Sequence, residues 1–138
     1  MNPAVFFYAS LDENIDHLKV EDPILFKSVA DHYKSYDEET GVFQPHFKGW
    51  YCFTVTIGGM NTSKAVAVSL EISSRKVANV VTDVPSGRSS LVVSQASNQA
   101  MVYMQTTDTA KVVVYDHDTG PISGNGYSTF SGVLLSKE

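Results

Sequence analysis

Tyr36-Asp37-x-x-Thr40-Gly41-Val42-Phe43, then Gly49-x-Tyr51-x-Phe53, and near the C-terminus Phe130-Ser131-Gly132-Val133-Leu134-Leu135 are the stretches that decide the fold. Tyr51, Phe53 and Val55 stand two apart, and so do Phe43, Pro45 and Phe47. A strand turns alternate side chains to opposite faces, so both triplets predict strands that bury one face. Gly49 separates them.

Working outward, Ala4 to Ser10 is aromatic and β-branched and reads as a first strand, followed by an acidic polar segment, Leu11 to Asp22. Residues 23–34 give a conflicting signal. Asp22 with Pro23 fits a helix start, and Leu25, Phe26, Val29, Ala30 and Tyr33 follow helical spacing. From residue 42 onward strands are expected at Val42 to Phe47, Gly49 to Ile57, Lys64 to Ile72, Val77 to Thr82, Ser97 to Gln105, Ala110 to His117 and Tyr127 to Leu135. Turn-forming residues separate them: Gly58-Gly59-Met60-Asn61, Ser73-Ser74-Arg75, Pro85-Ser86-Gly87, Thr107-Asp108-Thr109 and Gly120 through Gly126.

Short strands without intervening helices predict an all-β antiparallel sandwich, and a jelly roll fits best. Val66, Val68, Leu70 and Ile72 alternate with Ala65, Ala67, Ser69 and Glu71, which predicts one apolar face and one small or polar face. Met101 to Met104 and Val112 to Tyr115 are apolar on both faces, as expected where a sheet is covered by its own core on one side and by a partner subunit on the other.

Composition sets further limits. With 138 residues and 43% hydrophobic content, one domain spanning 1–138 with a single core is expected. No apolar run approaches the roughly 20 residues that cross a bilayer as a helix, and the start Met-Asn-Pro-Ala has no signal-peptide pattern. A net charge of −5 with ten scattered Lys and Arg offers no basic surface for nucleic acid. The single Cys52 lies between Tyr51 and Phe53 and reads as a small buried apolar residue.

Taken together, these motifs resemble the globular head domain of complement C1q, in the C1q and tumour necrosis factor superfamily, over nearly the whole chain. The family's series of an aromatic, six residues, Phe, five residues and Gly-x-Tyr-x-Phe is met by Tyr36, Phe43, Gly49, Tyr51 and Phe53. Val55 replaces its last aromatic. The interval from Phe26 to Tyr36 is one residue short, with Asp31 or His32 in the place of the usual Asn or Asp. Gln95-Ala96-Ser97-Asn98 is similar to the family's sixth strand, and Tyr127-Ser128-x-Phe130-Ser131-Gly132 with Val133 to Leu135 is similar to its closing strand. Thr109-Ala110 replaces the usual Gly-Asp turn.

The resemblance implies a ten-stranded jelly roll with residues 23–34 an extended stretch and loop rather than a helix, assembled as a compact homotrimer, its first, third and last strands in the sheet nearer the threefold axis. It implies secretion, no catalysis, and recognition of varied ligands through loops and outer faces. With no Gly-X-Y repeat, it implies a head without a collagen stalk, as in invertebrate members, or one whose stalk lies outside this sequence.

The residues themselves also argue against an enzyme. His17, His32, His46 and His117 are dispersed and none shows zinc spacing, and Gly124-Asn125-Gly126 reads as a turn rather than a nucleotide loop. Calcium is the cofactor to weigh. Asp83 falls near a family calcium ligand, although Ser94 stands where its acidic partner is usual, and Asp116 and Asp118 around His117 read either as a second oxygen cluster or as acids solvated at a strand end. Asn61-Thr62-Ser63 is a glycosylation acceptor pattern, and Trp50 and Tyr33 are aromatics that suit core packing or subunit contact first and stacking on sugars second. The candidate ligand loops, 58–63, 83–90 and 116–126, contribute Asn61, Asp83, Arg88, Asp116, His117, Asp118 and Asn125. Two functions are expected in order: a pattern-recognition head for microbial polysaccharide, lipopolysaccharide or other glycans, then a trimeric protein ligand for a receptor or matrix partner.

Overall fold

Alternating aromatic and β-branched side chains favour a pleated surface with one buried face. The computed structural model, which describes residues 4–60, 64–82, 93–115 and 119–138, is built of such strands. The strands are β1 (Phe6–Ser10), β2 (Ser28–Ala30), β3 (Tyr36–Asp37), β4 (Val42–Phe43), β5 (Gly49–Gly59), β6 (Ala67–Ile72), β7 (Arg75–Val81), β8 (Ser94–Met104), β9 (Ala110–Val114) and β10 (Thr129–Lys137). They form two antiparallel sheets, β2-β1-β10-β5-β8 and β3-β4-β9-β6-β7. Among the described residues there is no helix. The two ends of the chain lie side by side: β1 pairs with β10, Phe7 opposite Gly132, and β10 pairs on its other edge with β5.

The motif aromatics meet between the sheets. Phe7 stacks on Phe43 with ring centroids 4.6 Å apart and on Tyr36 at 5.4 Å, and meets Phe130 edge-on at 4.9 Å. Tyr36, Phe43, Tyr51, Phe53 and Phe130 are all buried, as is Val55 in the position of the missing aromatic. Such ring pairs add about 0.5–1.5 kcal/mol each beyond the area they bury. Gly132 makes room for them, because a methyl group there would lie 2.6 Å from Phe7 Cε1 and 2.8 Å from Phe53 Cδ1 and Cε1. Gly49 opens β5 with φ of 152°, and a Cβ there would collide with the Ser136 carbonyl oxygen.

Residues 23–30 are extended, against their helical spacing, and 31–34 form a turn in which Lys34 N donates to Asp31 O at 3.3 Å. Ile24 and Phe26 point into the core on a period of two, Ile24 N donates to Val112 O at 2.8 Å, and β2 pairs with β1. Neighbouring strands supply backbone partners that a helix would forgo, so tertiary pairing overrides local periodicity. Of the two residues open at the family's Asn or Asp position, Asp31 turns to the backbone, its Oδ2 accepting from Tyr36 N at 2.7 Å.

Other boundaries move as well. The strand expected over Val42 to Phe47 stops at Phe43, two residues before Pro45, which has no N–H to donate to a ladder. Phe47 instead packs edge-on against Tyr33 at 5.2 Å, with Lys137 Nζ 4.3 Å above its ring. β8 begins three residues early, at Ser94, where it pairs with Gly59. The polar face expected of β6 is buried. Ser69 Oγ donates to Asn79 Oδ1 at 2.6 Å, and the Glu71 carboxylate lies 3.5 Å from Lys76 Nζ and 3.7 Å from Lys111 Nζ. Val113, paired with Ser69 and facing the same side, is fully buried within this one chain, so the two-sided burial of β9 does not require a second subunit.

Candidate functional site: an open sheet face and a convergent loop end

Because Tyr51, Phe53, Val55 and Ile57 take the inner positions of β5, Trp50, Cys52, Thr54 and Thr56 fall on the opposite face. Cross-strand register extends that face in both directions. Trp50 opposes Tyr103 and Cys52 opposes Met101 on β8; on the other side Cys52 opposes Val133, and Val133 opposes Phe6. Tyr8 on β1 opposes Ser131. Phe6, Tyr8, Trp50, Val133 and Leu135 are all exposed, and Met101 is 66% exposed. A hollow of about 560 Å³ lies among Phe6, Tyr8, Cys52, Gln99, Ser131 and Val133. Trp50 meets Tyr103 edge-on at 5.6 Å, and the Tyr103 hydroxyl donates to Glu138 Oε1 at 3.4 Å. Partial desolvation and the Glu138 carboxylate both push the Tyr103 phenol up. A contiguous apolar sheet face of this kind marks an interaction surface.

The sequence had singled out Trp50 and the Met101 to Met104 run, but not Phe6, Tyr8, Val133 and Leu135. The signal was present: on β1 and β10 the first three are neighbours of core positions and so fall on the opposite face. Tyr33, the other candidate sugar platform, is half-buried between His32 at 4.9 Å and Phe47 at 5.2 Å.

The stems of the three candidate loops converge on one end of the sandwich. Ser123 N donates to Gly58 O at 2.8 Å. The buried Ser128 Oγ accepts from Gly58 N at 2.9 Å and donates to Ser123 O at 2.7 Å. Gly59 bridges to Ile122 and packs on Thr82, whose Oγ1 accepts from Val66 N at 2.9 Å. Of the predicted ligand-binding residues, Asn125 lies in this region, exposed and with φ of 53°, its N–H donating to Asp12 O at 2.9 Å. Asn61, Asp83, Arg88, Asp116, His117 and Asp118, with the Asn61-Thr62-Ser63 acceptor, lie outside the described residues. Among the described residues no group of three or more His, Cys, Asp or Glu side chains is placed to hold a metal ion. No described helix is long and apolar enough to cross a membrane.

The family model of the C1q domain matches residues 6–135. No curated protein sequence matches the chain. Solved structures match along nearly its whole length. The globular domain of zebrafish complement 1qA protein has 17% identity and a TM-score of 0.74, covering 97% of this chain and 99% of that one. Eiger TNF from S. frugiperda has 12% identity and a TM-score of 0.76, covering 99% and 96%. Murine APRIL has 7% identity and a TM-score of 0.73, covering 96% and 100%. Domains of this group are generally non-enzymatic ligand-binding modules and typically extracellular. With the motif aromatics in one core, the chain ends paired in one sheet and the match spanning residues 6–135, this chain belongs to the C1q domain family.

Proposed function

We propose that this protein is a secreted innate-immune pattern-recognition head, a homotrimer that binds microbial surface polysaccharide, lipopolysaccharide or other glycans multivalently. The observation that carries the proposal is the open face of β2-β1-β10-β5-β8, whose large apolar side chains suit contact with further copies of the chain. A trimer built on that face leaves the convergent loop end free, and three weak sites held together give avidity that one site lacks. The net charge of −5 opposes approach to anionic lipopolysaccharide, and calcium held by Asp83, Asp116 and Asp118 would relieve that repulsion.

The test is binding of the purified protein to an array of glycans and microbial polysaccharides, with calcium and with chelator, alongside light scattering. Selective glycan signal from a species of three times the 15.1 kDa chain mass is expected. A paired Met101→Glu and Val133→Glu variant should scatter as a monomer while keeping its sheet spectrum, since each places a charge on the open face and none in the core. A variant that stays trimeric refutes assembly through this face. The second reading, a trimeric ligand for a protein receptor or matrix partner, draws on the TM-scores to Eiger TNF and APRIL, 0.76 and 0.73, which bracket the 0.74 of the complement head. A trimer silent on the array would favour it.

A further inference from the structure

Beside the loop end, and sharing no lining residue with the hollow on the open sheet face, the acidic segment after β1 encloses a groove of about 420 Å³, within the range of small-molecule sites. Leu11 forms its buried base, and Ile15, Leu18, Pro23 and Leu25 line it while remaining only half-buried. Apolar side chains left partly wet in a concave site gain free energy when an apolar group displaces that water.

Two separately anchored walls keep the groove open. The first, residues 11–15, is latched to the turn carrying Asn125. Ile15 and Ile122 exchange backbone hydrogen bonds of 2.9 and 2.8 Å, Gly124 N donates to Asn14 Oδ1 at 2.8 Å, and Gly126 N donates to Leu11 O at 3.0 Å. The second, residues 21–25, is tied to β9: Glu21 N donates to Val114 O at 2.9 Å, Val114 N to Asp22 O at 3.0 Å and Ile24 N to Val112 O at 2.8 Å. Between them the chain reverses at a turn in which Lys19 N donates to Asp22 Oδ2 at 2.8 Å. A site whose walls are already ordered loses little on binding.

The rim sets the sign of the ligand. Asp12 and Glu13 line it, are exposed, and make no ion pair among the described residues. Lys27, the rim's one cation, is engaged elsewhere: its Nζ donates to Glu38 O at 3.0 Å and lies 3.8 Å from the Glu39 carboxylate. The groove therefore combines an apolar floor with a net negative mouth, two carboxylates against one ammonium.

We propose that this groove binds a small organic cation carrying an apolar tail, an alkylammonium being the simplest. The tail lies along Ile15, Leu18 and Leu25, and the ammonium meets Asp12 and Glu13. The test is methyl NMR titration of the full chain with n-octylammonium and, separately, n-octanoate, both below their micelle concentrations. Saturable shifts confined to the Ile15, Leu18 and Leu25 methyls are expected with octylammonium, with octanoate about tenfold weaker. The paired Asp12→Asn and Glu13→Gln variant, both changes being at exposed side chains, should bind the two probes alike. Leu25→Trp, which fills the groove, should abolish the octylammonium shifts. Equal binding of both probes by the unaltered chain, shifts centred on Met101 and Val133, or no saturable shift would each overturn the proposal.

Discussion

Replacing Gly132 with alanine tests the packing argument at its tightest point. The added Cβ would lie 2.6 Å from Phe7 Cε1 and 2.8 Å from both Phe53 Cδ1 and Cε1, inside any real carbon–carbon contact. Neither ring can withdraw freely. Phe7 is held between Phe43 at 4.6 Å and Phe130 at 4.9 Å, and Phe53 packs on Phe43 at 5.6 Å and Tyr51 at 6.0 Å. Overpacking of a closed core costs about 1–3 kcal/mol, and two blocked rings place this site at the upper end, about 2–3 kcal/mol. Gly126 supplies the contrast: a Cβ there meets nothing within 4 Å, but its φ of 82° is a left-handed conformation costing about 1 kcal/mol for an L-residue. Urea unfolding at one fixed protein concentration should rank Gly132→Ala well below Gly126→Ala, and thermal unfolding should show a fall in Tm of about 10 °C for the first and about 4 °C for the second. Gly132→Ala within about 0.5 kcal/mol of the parent protein would refute the reasoning.

Two further predictions concern buried polar groups. Ser128→Ala removes the hydroxyl that serves both Gly58 N and Ser123 O, and leaving those groups unpaired should cost about 2 kcal/mol, measured by the same unfolding series; a change too small to resolve would mean that the loop stems are not held by this contact. Burial pushes the Tyr36 phenol up to about 12, Asp37 and Glu38 adding to the effect and the hydrogen bond from Phe26 N opposing it. Because the raised value favours the protonated folded state, the associated stability is fully present below pH of about 10 and is lost as pH rises to about 12, a total of about 2–3 kcal/mol. Burial raises Tyr51 in the same direction. Unfolding free energies at stepped alkaline pH should therefore fall less steeply for Tyr36→Phe than for the parent, and equal slopes would count against the assignment.

Much of the fold was legible in local pattern. The two-residue spacing of Tyr51, Phe53 and Val55 and the turn residues between strands mark most of β5 to β10, because a strand with one core face leaves a period of two in the sequence. Where local pattern misled, a distant partner had decided the outcome. The helical spacing of Leu25, Phe26, Val29 and Ala30 gave way to backbone pairing with β9 and β1, both beyond the reach of one helical turn in sequence. Ser69 and Glu71 look solvated along the chain, yet Asn79, Lys76 and Lys111 enclose them from β7 and β9. The open apolar face was legible at Trp50 and Met101 alone, since joining them to Phe6, Tyr8 and Val133 requires the register between β1, β10, β5 and β8.

By itself, then, the sequence determined the family, the all-β class and the ring-forming core residues, because spacing and side-chain type act over a few residues and survive in linear order. Tertiary structure alone decided which faces close and which stay open. The convergence of three loop stems on Gly58 and Gly59, the apolar sheet face and the acidic groove after β1 arise from segments up to about a hundred residues apart, brought together by antiparallel pairing whose register no local pattern records.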